Sequence, residues 1–180
     1  MAIHAAGYTS GIASSNPDEL AYATDRLRAE HEELREKLRE LETGAKEVIV
    51  SDDLVKSKQL VQELRDQTQQ FVEMLERHSE WEERELFPFL LTYFDRHSAP
   101  SILPSFWVLE KDHQLGLSFI ESFQEAVGKV TPLVPKKQLA EITAHLVQAC
   151  LILNDHFTME EQVVFPITEQ VMTDLELFFC

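Results

Sequence analysis

From Leu20 onward, apolar or chemically special residues recur in steps of three and four: Leu20, Thr24, Leu27, His31, Leu34, Leu38, Leu41, Ala45 and Val48. Those steps hold all of them to one stripe of a helix. Asn16-Pro17-Asp18-Glu19 supplies a helix start: a capping side chain, a proline where its missing N–H costs nothing, and acids at the positive end of the dipole. Gly44 would ordinarily end a helix, but the stripe continues through it, so the first helix is predicted to reach about residue 49. A second start at Ser51-Asp52-Asp53 leads into the stripe Val61, Leu64, Thr68, Phe71, Leu75, His78, Glu82, Leu86, Phe89. "DRHSAPSILPS" (95–105), with two prolines, breaks the pattern as a loop. The third stripe is Phe106, Glu110, His113, Leu117, Ile120, Gln124, Val127, and "VTPLVP" (130–135) is the next break. The fourth is Leu139, Ile142, Leu146, Ala149, Leu153, His156, Glu160, Val164, Ile167, Val171. No segment alternates as a strand would. Four long amphipathic helices with short breaks predict an all-α fold, an antiparallel up-down-up-down four-helix bundle over residues 16–180. Residues 1–15 read as a mobile N-terminal leader.

Composition narrows the partners. At 180 residues the chain suits one domain with a sizeable core. A net charge of −16 without a basic patch argues against nucleic acid and anionic membrane as partners. No run of 18 apolar residues suggests a membrane span. "MAIHAAGYTSGIASS" has neither the basic start nor the apolar stretch of a signal peptide. Two cysteines, Cys150 and Cys180, make no disulfide framework, and the default location is cytoplasmic.

The candidate chemistry lies on the stripes. "HSEWEERELFP" (78–88) and "HFTMEEQVVFP" (156–166) share one pattern: His, three residues, Glu-Glu, two residues, an aliphatic and Phe-Pro. His78 and Glu82, like His156 and Glu160, are four apart, so each pair points the same way at neighbouring heights. Each helix also carries one His on its stripe. Carboxylates buried in a bundle cost several kcal/mol each unless something positive meets them, and no Lys or Arg falls on these stripes near the site. A pair of divalent or trivalent metal ions would supply that charge. The ordinary alternative is that a lone stripe His is a core or boundary residue, and a lone Glu a surface one. Six such residues in matched positions on four helices argue against it. His4, His97 and His145 lie off the pattern and read as surface residues, while Glu83 and Glu161 sit about 100° round their helices, in a solvated or supporting role. Cys150 falls on roughly the opposite face from His156 and is a poor ligand, and Trp81 and Trp107 read as packing residues.

With "AEHEEL" around His31 and "EKDHQLG" around His113, the doubled motif resembles the hemerythrin family, specifically its bacterial HHE cation-binding branch, over about residues 20–172. The resemblance implies an oxo- or hydroxo-bridged di-iron centre of two iron ions within an up-down-up-down bundle. It implies His31, His78, His113 and His156 as terminal ligands and Glu82 and Glu160 as bridges. Leu86 and Val164 would keep that side of the cluster dry. Pro88 and Pro166 are expected to kink or end their helices just beyond it.

The chain departs from the oxygen carriers of that family at two places. They carry a second His four residues after the one on the third helix, where this chain has Leu117. Their last carboxylate falls five residues after the fourth-helix His; the repeat here favours Glu160, although Glu161 occupies the other place. A four-His, two-Glu site leaves metal positions open to O₂, peroxide or nitric oxide. The resemblance points to small-ligand binding in oxidative or nitrosative stress defence or sensing. A catalase- or peroxidase-type enzyme and an iron storage or delivery protein are the alternatives. The donor set suits iron, manganese or a mixed pair.

Overall fold

The computed structural model describes residues 17–96 and 103–179. These residues form α1 (Pro17–Val50), α2 (Leu54–Trp81), a π-turn (Glu82–Leu86), α3 (Phe87–Arg96), α4 (Leu103–Gly128) and α5 (Lys136–Phe179). No strand occurs among the described residues. The leader, Asn16, His97 and Cys180 lie outside them.

Local chemistry sets the helix limits. Asp53 caps α2 by accepting from the backbone N–H of Val55 at 2.9 Å and of Lys56 at 3.0 Å. Lys136 at the start of α5 pairs with Asp52 at 2.9 Å, tying that end to the α1–α2 turn. α1 runs through Gly44 as expected, and the missing side chain leaves room for Leu64 of α2, which would lie 2.9 Å from a Cβ there.

α1 packs against α2 and α5, and α4 packs against α5 and α2, so the long helices close a ring. Across α1–α2, Glu30 meets His78 and Glu47 meets Lys56. Across α1–α5, Arg28 meets Phe165 and Arg35 meets Asn154. Across α4–α5, His113 meets His156 and Phe119 meets His145. In every pair one number rises as the other falls.

The interior is divided. One apolar core gathers Leu38, Leu64, Phe71, Phe123, Leu146 and Phe157; a second gathers Leu20, Leu27, Trp81, Leu90, Phe106 and Val171. Full burial of each large side chain contributes about 1.5–3 kcal/mol. Between the two cores lies a layer of buried His and Glu, with the fully buried Phe157 as its floor.

Several expectations are corrected. On α4 the buried row is Phe106, Leu109, His113, Gly116, Ile120, Phe123 and Val127, leaving Glu110 exposed and Leu117 and Gln124 half-buried. Steps of three and four fit either row; the closer approach of α4 to α5 at Gly116 selects this one. Neither Pro88 nor Pro166 ends the helical path: α5 runs through Pro166, and the π-turn immediately precedes α3. Pro88 would crowd the Arg84 carbonyl in a regular α-turn, and the wider π-turn relieves that contact. The widening also brings Leu90 rather than Phe89 fully inside. Trp81 is buried, but Trp107 is 61% exposed and does not serve the core. Cys150 is fully buried in the larger core rather than turned away from it, and His145 is exposed as expected.

A Cβ at Gly116 would lie 2.6 Å from Leu153 Cδ2 and 2.7 Å from its Cγ, whereas one at Gly128 meets nothing within 4 Å. Gly116→Val is therefore expected to cost about 2 kcal/mol by overpacking. Gly128→Ala is expected to gain about 0.5 kcal/mol by restricting the unfolded chain. Urea denaturation of the two variants beside the parent checks both signs.

Candidate metal centre

The amphipathic pattern of each long helix delivers one imidazole to the polar layer, and all six predicted residues are buried there: His31, His78, Glu82, His113, His156 and Glu160. His31 Nε2 and His78 Nε2 face each other at 3.1 Å. Glu82 Oε1 lies 2.8 Å from His78 Nε2 and 4.0 Å from His31 Nε2. Glu160 Oε2 lies between the two sides of the cluster, 3.3 Å from His31 Nε2 and 3.4 Å from His156 Nε2. His31, His78, Glu82 and Glu160 each offer one ligand atom, all within 4.8 Å of one another. His156 adjoins this group through Glu160. His113 adjoins it through His156, with ring centroids 4.0 Å apart.

The outer nitrogens fix the inner ones. Glu161 Oε1 accepts from His31 Nδ1 at 2.9 Å, and Glu30 Oε2 accepts from His78 Nδ1 at 2.8 Å. Arg35 pairs with Glu161 at 3.3 Å and Arg26 with Glu30 at 2.7 Å, so each carboxylate is pinned from outside. A proton held at Nδ1 leaves Nε2 with its lone pair directed inward. On α4, Ser79 Oγ donates to the Leu75 carbonyl at 3.0 Å and so accepts from His113 Nδ1 at 3.1 Å, again leaving Nε2 as the inner acceptor. Acceptors thus converge on a centre where, among the described residues, no Lys or Arg is buried. His113 Nε2, both ring nitrogens of His156, Glu82 Oε1 and both oxygens of Glu160 are buried without a hydrogen-bond partner. Such orphaned groups are costly unless a cation or a shared proton meets them. The donor set fits a metal of the iron or manganese kind.

A family model for the hemerythrin HHE cation-binding domain matches residues 22–168. The chain belongs to the hemerythrin family. No curated protein and no solved structure matches it.

Within this hemerythrin domain, Glu160 occupies the centre, while Glu161 is 31% exposed and orients His31. Glu83 is exposed, as expected. Leu117, at the place of the carriers' extra His, is half-buried against the larger core. Sequence reading missed Glu30, Ser79 and the two arginines. Glu30 precedes His31 in "AEHEEL", but its partner is His78 on another helix, a pairing that spacing along one helix does not reveal.

Without a cation the two central acids divide. Burial and then the neighbouring Glu160 carboxylate push Glu82 well above the usual carboxylate range. Burial also acts against the charge of Glu160, but hydrogen bonds from His156 and His31, in which a shared proton stands where a metal would, outweigh it and hold Glu160 well below that range. Burial, reinforced by His156, brings His113 down to about 3.

A group protonated at 6.5 when unfolded and at about 3 when folded destabilises the fold as pH falls through that window, because only the unfolded chain takes the proton. Metal-free protein should therefore lose stability from His113 as pH drops from 6.5 towards 3, at no more than about 1.4 kcal/mol per pH unit. Chemical denaturation across that range should show His113→Leu losing one proton's worth of this slope; an unchanged slope would contradict the burial of a neutral imidazole.

Proposed function

We propose that the chain is a non-haem di-iron protein that binds O₂, peroxide or nitric oxide at a dinuclear site, in oxidative or nitrosative stress defence or sensing. His31, His78, His113 and His156 would be the terminal ligands and Glu82 and Glu160 the bridging ones. The observation that carries this reading is the convergence of buried acceptors, including both oxygens of Glu160, on a centre that no described Lys or Arg enters. Iron is favoured by the family, and manganese or a mixed pair suits the same donors. The opposed numbering of the helix contacts supports an antiparallel up-down-up-down bundle, and a cytoplasmic setting suits a chain with a buried free thiol.

A bound metal pair supplies the Lewis acidity and electron transfer that imidazole and carboxylate lack. The chain's own residues do the rest. Glu30 and Glu161 hold His78 and His31 in one tautomer and orientation, and Arg26 and Arg35 fix those acids. Phe157 below and Leu86 and Val164 above shield their own sides of the layer from water. The His113 and His156 side lacks carboxylate orientation and lines a cavity that reaches the surface, so a small ligand would enter there. That same opening favours the second reading, a catalase- or peroxidase-type activity, since it admits and releases small molecules beside Glu82.

Metal analysis of native protein, with optical spectra before and after O₂ or peroxide, tests the reading. Two metals per chain are expected, and Glu82→Ala should lose both rather than one. Chelation should lower the melting temperature by about 10 °C, since metal binding contributes to folding. A chelated sample melting with the metallated one would count against a buried cluster, and a full complement in Glu82→Ala would remove Glu82 from the bridge.

A further inference from the structure

A cavity of about 560 Å³ opens beside the cluster between the π-turn, α3 and α4. Its volume lies within the range of about 300–1,000 Å³ usual for sites of small organic molecules. Peroxide or a diatomic gas needs little more than the roughly 30 Å³ that a water molecule occupies. The walls are apolar: Phe87 stacks on Phe106 with centroids 4.3 Å apart at 14°, and Leu91, Leu109 and Trp107 continue them. At the deep end stand Glu82, His113 and His156, whose buried Oε1, Nε2 and ring nitrogens have no partner. A second cavity, about 280 Å³, is walled by Arg26, Glu30, Glu33 and Arg77, and of the six site residues touches His78, whose outer nitrogen Glu30 already holds. The wide, apolar approach therefore leads to the side of the cluster whose imidazoles are least engaged.

We propose that this cavity binds a small neutral organic molecule with an apolar body and one oxygen-bearing head, the class of alcohols and organic hydroperoxides. The head would lie at Glu82, His113 and His156, and the body against Phe87, Leu91 and Phe106. Charge selects the class. Among the described lining residues Glu82, Glu83 and Glu110 stand without a Lys or Arg, which disfavours carboxylates and phosphates. A cationic head would meet like charge at a metal-loaded centre. An oxygen head both donates and accepts, so it suits the bare ring nitrogens as well as the loaded site. This last step rests on the metal reading above; the cavity itself does not.

The test is a titration with 2-phenyl-2-propanol, an unreactive alcohol of this shape, into metal-loaded and metal-free protein, followed by calorimetry and by Trp107 fluorescence. Saturable binding is expected in both forms, at least tenfold tighter than the amine or carboxylate of the same shape in the loaded form. Leu91→Phe, which fills the cavity, should weaken binding at least tenfold while metal content and melting temperature stay as in the parent. Trp107→Ala, at an exposed position, should weaken it about threefold or more and decides the matter if Leu91→Phe does not fold. A signal without saturation, or affinities unchanged in these variants, would overturn the pocket. Tighter binding of the amine or carboxylate would overturn the ligand class. Absence of bound metal with intact binding to the metal-free form would overturn the metal reading and leave the pocket standing.

Discussion

Two imidazole nitrogens lie 3.1 Å apart on rings whose outer nitrogens are each held by a carboxylate, so between neutral rings the lone pairs face one another. Acceptor atoms do not approach in that way without a positive charge between or beside them. Most of what surrounds the layer is arranged around that constraint. Glu160 lies near-equidistant from His31 and His156, so one carboxylate connects the half of the site contributed by α1 and α2 with the half contributed by α4 and α5. The positive groups are kept one residue further out, where Arg26 and Arg35 neutralise Glu30 and Glu161 rather than the centre. An arginine inside the layer would satisfy the acids and leave no reason for a metal.

The two apolar cores make this arrangement tolerable. Burial on either side of the layer supplies the free energy that a polar stratum alone would lose. The helix faces are continuous across all three zones, so the same stripe that packs Leu34 and Leu75 also sets the height of His31 and His78. Where the stripe and the site disagree, the backbone yields: the π-turn begins at Glu82 itself and shifts the following core positions by one.

Much of this was legible from spacing alone. The four long helices, the break at 130–135 and the buried positions of all six site residues follow from periods of three and four and from the doubled His-Glu motif. Most of the loop expected over 95–105 lies outside the described residues, and its ends at 95–96 and 103–105 are helical. What spacing could not give is anything decided between helices. The true inward row of α4 depends on how closely Gly116 lets it approach Leu153. Glu30 serves His78 rather than its own neighbour His31, a choice made by the α1–α2 contact. Trp107 lies beside residues that do pack, and only the three-dimensional path leaves its ring at the edge of a cavity.

Cys150 gives the fold a chemical consequence of its own. Its thiol is enclosed in the larger core, and burial pushes it up to about 12. Only the thiolate attacks electrophiles or is readily oxidised, and at neutral pH its share would be on the order of one in 100,000. The interior thus carries a sulfur that is almost inert to oxidants. The oxidation ladder that ends in sulfenic and sulfonic acids is closed to Cys150 for as long as the larger core stays shut.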